Sequence, residues 1–224
     1  MTHTGNPFGQ VLVALVTPMT ADGEVDWPAT ERHIDDVITA GADRIVVTGT
    51  TGETSTLTDA EKLRLVEVGK SVAGGRAKII TGGGSNETAH AIELYKASEK
   101  AGADGIMIVT PYYNKPTQAG ILTHFRLVAD ATDLPVILYN VPGRTVADMA
   151  NDTIVRLSSV PGIVGVKDAT GNIGRGTELL RAVPKSFAVY SGDDATAMAL
   201  MFCGGAGNIS VTANVAPRAM HELC

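Results

Sequence analysis

The chain has 224 residues, 44% of them hydrophobic, which suits one α/β domain with a large core spanning residues 1–224. Its 18 Lys+Arg against 24 Asp+Glu give a formal net charge of −6, a balance that leaves no electrostatic footprint for nucleic acid. No run of about 18 apolar residues marks a membrane span, the first seven residues carry no basic-then-apolar leader, and two cysteines outside any CxxC motif, Cys203 and Cys224, fit a reducing cytoplasm.

In chain order, Val11 to Val16 reads as the first strand, ending in Thr17-Pro18. Asp26 before Pro28 predicts a capped helix that runs to about Ala40 and stops at Gly41. Ile45-Val46-Val47 is the second strand and opens into Thr48-Gly49-Thr50-Thr51-Gly52-Glu53. Thr58 with Glu61 forms a capping box for a helix to about Val72. Lys78-Ile79-Ile80 is the third strand; after Thr81 and three glycines, Ser85 is expected to cap the next helix. Ala40-Gly41-Ala42-Asp43 recurs as Ala101-Gly102-Ala103-Asp104, two βα units of about 30 residues further on.

The fourth strand, Ile106 to Val109, runs into Thr110-Pro111-Tyr112-Tyr113-Asn114-Lys115-Pro116, and a helix follows through Leu122, Phe125 and Val128. Val136-Ile137-Leu138 leads to Tyr139-Asn140 and a turn at Pro142-Gly143-Arg144-Thr145. A short helix near Thr153–Leu157 precedes the sixth strand, Ile163 to Val166. Helix is expected again from Thr177 to Val183 and from Ala195 to Cys203, flanking a strand at Phe187–Tyr190. Asn208 to Val211 is the eighth strand. Cys203, in an apolar helix, is expected in the core. Asp193-Asp194 is read as a cap for the helix after it rather than a metal ligand pair. The five histidines show no HxxxH or HxH spacing, so no zinc is expected.

Strands alternating with helices predict a parallel sheet. Nearly every strand ends in hydroxyls, glycines or charges, which is where a (β/α)8 TIM barrel gathers its active site. A doubly wound sheet would concentrate them at one switch point, and no GxGxxG follows a strand. The last helix begins at Pro217 and the sequence stops at Cys224, so the expectation is a barrel cut short within its eighth helix.

Lys167 stands out. It ends the apolar run Ile163-Val164-Gly165-Val166 and is followed by Asp168-Ala169-Thr170-Gly171-Asn172. A buried ammonium is costly, and the usual relief is a lowered pKa. An amine moved from about 10.4 toward 7–8 is partly neutral at pH 7 and attacks ketones. The alternative is a lysine that packs its stem and extends its ammonium to water.

Four stretches together, Gly49-Thr50-Thr51-Gly52-Glu53, Tyr112-Tyr113-Asn114-Lys115-Pro116, Tyr139-Asn140-Val141-Pro142-Gly143-Arg144-Thr145 and Gly165-Val166-Lys167-Asp168, resemble the dihydrodipicolinate synthases. The resemblance runs from the first strand to Gly207-Asn208-Ile209-Ser210. It implies a class I aldolase on a TIM barrel that joins pyruvate to aspartate 4-semialdehyde without cofactor or metal. It also implies a homo-oligomer, a dimer of dimers, and helices beyond the eighth strand that this sequence lacks.

By the same resemblance, Lys167 forms the Schiff base. Tyr139, Thr50 and Tyr113 relay protons, with Tyr113 reaching in from the other subunit. Thr50-Thr51-Gly52 holds the pyruvate carboxylate and Arg144 the semialdehyde carboxylate. Gly192 and Ile209 turn backbone carbonyls toward the lysine. The competing expectations are an N-acetylneuraminate lyase, a keto-deoxy sugar acid aldolase, or an inactive truncated barrel. Asn86 and Tyr112 match the family's inhibitory L-lysine site, whereas His90, Lys62, Asp59 and Ser55 depart from it, so insensitivity to lysine is expected.

Overall fold

A computed structural model describes residues 8–42 and 44–224. The leader reading of residues 1–7 and the Asp43 of the repeated motif lie outside the described residues. Eight parallel strands close into one barrel in chain order: β1 (Val11–Ala14), β2 (Arg44–Val47), β3 (Lys78–Thr81), β4 (Gly105–Val109), β5 (Val136–Asn140), β6 (Ile163–Asp168), β7 (Ala188–Ser191) and β8 (Gly207–Ser210). β8 pairs back onto β1, with Leu12 opposite Ile209. This is the (β/α)8 barrel expected from the alternation of elements.

Around it run α1 (Trp27–Thr39), α2 (Asp59–Ala73), α3 (Thr88–Lys100), α4 (Gln118–Ala129), the single turn α5 (Pro142–Thr145), α6 (Asn151–Leu157), α7 (Ile173–Ala182), α8 (Ala197–Phe202) and α9 (Pro217–Leu223). Among the described residues, no helix is long and apolar enough to cross a membrane.

The strands read as unbroken apolar runs because both faces are covered. One set of side chains, including Leu12, Val46, Ile80, Met107, Ile137 and Ile209, fills the barrel interior. The opposite set packs under the helices: Val11, Val13 and Ile45 meet α1 and α2, while Ile106, Leu138 and Val166 meet α3 to α8. Helix starts follow local chemistry. Asp26 accepts from the Ala29 N–H at 2.9 Å, and Thr58 and Glu61 form the expected reciprocal box.

Three local expectations are corrected. Ser85 does not cap α3; its Oγ accepts from the Glu87 N–H at 3.1 Å, and the helix starts at Thr88. Helix α7 starts at Ile173 rather than Thr177, because Asn172 caps it by accepting from the Arg175 N–H. Gly174 and Gly176 masked that start, since glycine is a poor helix former. Gly176 is small for a reason: a Cβ there would lie 2.7 Å from Leu200 of α8. Cys203 is exposed, not core, because the buried stripe of α8 is Ala197 and Leu200 and the cysteine falls past its last residue.

Candidate active site

Three adjacent strands bring the central groups together. Register across β5, β6 and β7 sets Tyr139 beside Lys167 and Lys167 beside Tyr190. Neighbours in register point the same way, so the lysine enters the barrel interior. Its side chain is only 4% exposed, and its Nζ lies 4.5 Å from the centre of the Tyr139 ring. Above it opens a cleft of about 500 Å3 lined by Thr50, Thr51, Tyr139, Arg144, Lys167 and Gly192, among others.

Burial is the main cause that lowers the Lys167 pKa, to about 8. The Asp194 carboxylate opposes that shift, and the Arg144 guanidinium adds to it. The Tyr139 phenol is pushed up by burial and drawn partly back by a hydrogen bond with Thr50 and by the charge of Arg144. Lysine and tyrosine thus share a buried site in which the Arg144 guanidinium favours neutral amine and ionised phenol alike.

The turn after β2 owes its shape to close backbone approach. Thr48 sits at φ 57° and accepts from the Gly82 N–H at 3.1 Å. Gly82 approaches Gly49 so closely that a Cβ would lie 2.9 Å from the Gly49 Cα. Thr50–Gly52 then forms one 3-10 turn, tied down by Thr17 Oγ1 donating to the Gly52 carbonyl at 2.8 Å. Successive N–H groups in such a turn make an anion-binding concavity. Gly192 is equally constrained: a Cβ would stand 2.8 Å from Lys167 Cε and 2.8 Å from Ala169 Cβ.

Six of the eight expected site residues therefore meet in one cleft. Two do not. Tyr113 is 87% exposed at φ 72° and does not line it. Ile209 is fully buried in the barrel interior, while Val211, two residues on, reaches the cleft.

Asp194 was not expected here. Asp193 does close the turn into α8, accepting from Thr196, but Asp194 does not cap. It accepts from Asn208 Nδ2 at 2.7 Å, from the Val211 and Thr212 N–H groups, and from Thr212 Oγ1. A second acid at the end of β7 was the available signal.

The dihydrodipicolinate synthetase family model matches residues 7–224. The chain belongs to that family. Over 224 residues it is 56% identical to the 4-hydroxy-tetrahydrodipicolinate synthase of Albidiferax ferrireducens, covering all of this chain and 75% of the relative. It thus spans about three quarters of the length of such dihydrodipicolinate synthase relatives. Among solved structures, the chloride-inhibited dihydrodipicolinate synthase of Acinetobacter baumannii complexed with pyruvate superimposes with a TM-score of 0.95 at 52% identity, covering 97% of this chain and 75% of that one. The enzyme of Cyanidioschyzon merolae with lysine bound gives 0.93 at 45% identity, covering 96% and 74%.

Proposed function

We propose that the chain condenses pyruvate with L-aspartate 4-semialdehyde through a Schiff base on Lys167, yielding 4-hydroxy-tetrahydrodipicolinate for lysine and diaminopimelate biosynthesis. The observation that carries this reading is a buried amine with a pKa of about 8, set against a tyrosine ring at the floor of a polar cleft. The family relationship agrees with it.

The neutral Lys167 amine attacks the pyruvate ketone, and loss of water leaves an iminium. A methyl proton then departs, giving an enamine whose carbon adds to the aldehyde. The semialdehyde's own amine attacks the former ketone carbon, which closes the ring and returns Lys167. Tyr139 carries protons over the imine. A free phenol has a pKa near 10, so it needs a relay at neutral pH. Thr50, which lines the same cleft and draws the Tyr139 pKa down, is the next member. Tyr113, exposed and outside its own cleft, completes the relay in the partner of a dimer, two such dimers forming the assembly in the cytoplasm.

The Thr50-Thr51-Gly52 turn receives the pyruvate carboxylate. Arg144 grips the semialdehyde carboxylate with a planar, two-point contact. The Gly192 and Ile209 carbonyls hold the lysine in position. A carboxylate-seeking arginine at the cleft favours the small amino-acid aldehyde over the polyhydroxy substrates of the sugar acid aldolases.

The test is mass spectrometry after pyruvate and borohydride, followed by turnover with each class of aldehyde. One adduct per chain on Lys167, and consumption of the semialdehyde, are expected. An adduct on Lys115 or Lys78 would overturn the assignment.

A further inference from the structure

Arg144 reaches the cleft from a turn that has little holding power of its own. Helix α5 is a single turn between the end of β5 and a segment without regular structure, and so short a helix does not persist unaided. Thr145 Oγ1 bonds to the Val141 and Ala147 carbonyls at 3.1 and 2.8 Å, but these ties are internal to the loop. Val146, which ends the turn, stands at φ 59° in the left-handed region. A β-branched side chain is strained there, and such strain survives only where the surroundings over-determine it.

The surroundings are unusual. Asn140, the last residue of β5, donates to Asp148 Oδ1 at 2.9 Å and accepts from the Met149 N–H at 3.0 Å. Arg175 on α7 donates to Asp148 Oδ2 at 2.7 Å, to the Met149 carbonyl and to Asn151 Oδ1. Gln118 on α4 donates to the Asp148 carbonyl at 2.7 Å and accepts from Ala150 N–H and Thr153 Oγ1. Groups from β5, α4 and α7 thus converge on residues 148–151, which begin two residues after the strained Val146. With Val141 fixed at the strand end, the loop carrying Arg144 is pinned at both ends.

We propose that Asp148 and Arg175 are positioning residues: their clamp holds the strained loop so that Arg144 meets the carboxylate of the aldehyde substrate. This rests on the reading of Arg144 given above. Neither residue lines the cleft, so both act through Arg144. A purely stabilising role fits poorly, because the pair is partly solvent-facing (side chains 20% and 47% exposed) and such ion pairs add little to stability.

The experiment compares Arg175→Ala, Arg144→Ala and the double variant in KM for each substrate, borohydride trapping of pyruvate and thermal unfolding. Arg175→Ala is expected to raise the semialdehyde KM about tenfold, as loss of a held geometry does. The pyruvate KM and trapping on Lys167 should stay unchanged. The double variant should be no worse than Arg144→Ala alone, because residues acting through one contact are not additive. An unchanged semialdehyde KM, equal rises for both substrates, or additive effects would overturn the inference while leaving Arg144 in place. If Arg144→Ala itself left the semialdehyde KM unaltered, the reading of Arg144 would fall and this inference with it. Should Arg175→Ala not fold, Arg175→Lys keeps the charge opposite Asp148, loses the three-way contact and is judged by the same criteria.

Discussion

Lys167 and Tyr139 are register partners across β5 and β6, with the ammonium nitrogen 4.5 Å from the centre of the ring. An aromatic face favours the charged amine, yet burial outweighs it and sets the pKa near 8. At pH 7 about a tenth of the amine is then neutral, against well under a thousandth for an ordinary lysine.

Imine formation should follow that neutral fraction. The rate of borohydride-trapped adduct formation with pyruvate is expected to rise about tenfold per pH unit below 8 and to level off above it. A midpoint near 10.5 would mean that the amine is solvated after all.

The same shift predicts a stability effect. The native pKa is depressed below lysine's ordinary 10.5, so between pH 8 and 10.5 the unfolded chain holds a proton that the native chain has released. Stability therefore rises with pH across that window. Below it the buried ammonium costs roughly 3 kcal/mol. Lys167→Met should unfold at higher temperature than the parent at pH 7, by about 2–4 °C per kcal/mol recovered. That gap should narrow as pH climbs toward 10.5, and a lower melting temperature for the variant at pH 7 would contradict the argument.

Gly192→Ala should disable the site without unfolding the barrel. Its methyl would stand 2.8 Å from Lys167 Cε and 2.9 Å from Cγ, and the lysine stem must give way. A displacement of about 1 Å is worth up to 100-fold in rate. Turnover and pyruvate trapping should fall together, and a variant with normal trapping would show that the lysine accommodates the methyl.

Arg144→Ala should leave trapping of pyruvate on Lys167 intact and weaken use of the semialdehyde. Loss of a charge-assisted contact costs about 1.5–3 kcal/mol, or roughly 10- to 150-fold in kcat/KM. Steady-state kinetics with the semialdehyde varied at saturating pyruvate measures it.

Feedback by L-lysine is expected to be absent or nearly so. Asn86 and Tyr112 are in contact, Asn86 Nδ2 donating to the Tyr112 carbonyl at 3.2 Å. However, His90 Nε2 is 2.6 Å from Asp59 Oδ2, and Lys62 Nζ is 3.1 Å from the other oxygen. The nearby carboxylate is thus already engaged by two basic groups, and it is poorly placed to receive a cationic inhibitor. Losing one charged hydrogen bond costs about 1.5–3 kcal/mol, at least tenfold in affinity. Half inhibition well below millimolar in a turnover assay would refute this.

Much of the architecture was legible because it is local. An apolar run with a polar end marks a strand buried on both faces, and the Thr58–Glu61 box or the Asp26 cap closes within one turn of helix. Errors fell where short-range signals competed. Ser85 is a favoured cap by residue type, yet α3 starts at Thr88, and the glycines of α7 hid a start that Asn172 caps. Cys203 shared the apolar character of α8 without sharing its buried face.

What the sequence determined by itself is which residues end strands: Thr50 after β2, Tyr139 on β5, Lys167 on β6, Gly192 after β7, with Arg144 on the turn that β5 opens into. What only the tertiary structure decided is which of those ends face one another. Closure of the barrel and its register set Tyr139 and Tyr190 on either side of Lys167. The same closure brought Asp194 to the end of β8 and Arg175 to Asp148. These pairs lie far apart in the chain, and a one-residue slip in any strand would turn its side chains from the interior to the helices. No local pattern encodes such a choice; it follows from packing eight strands at once.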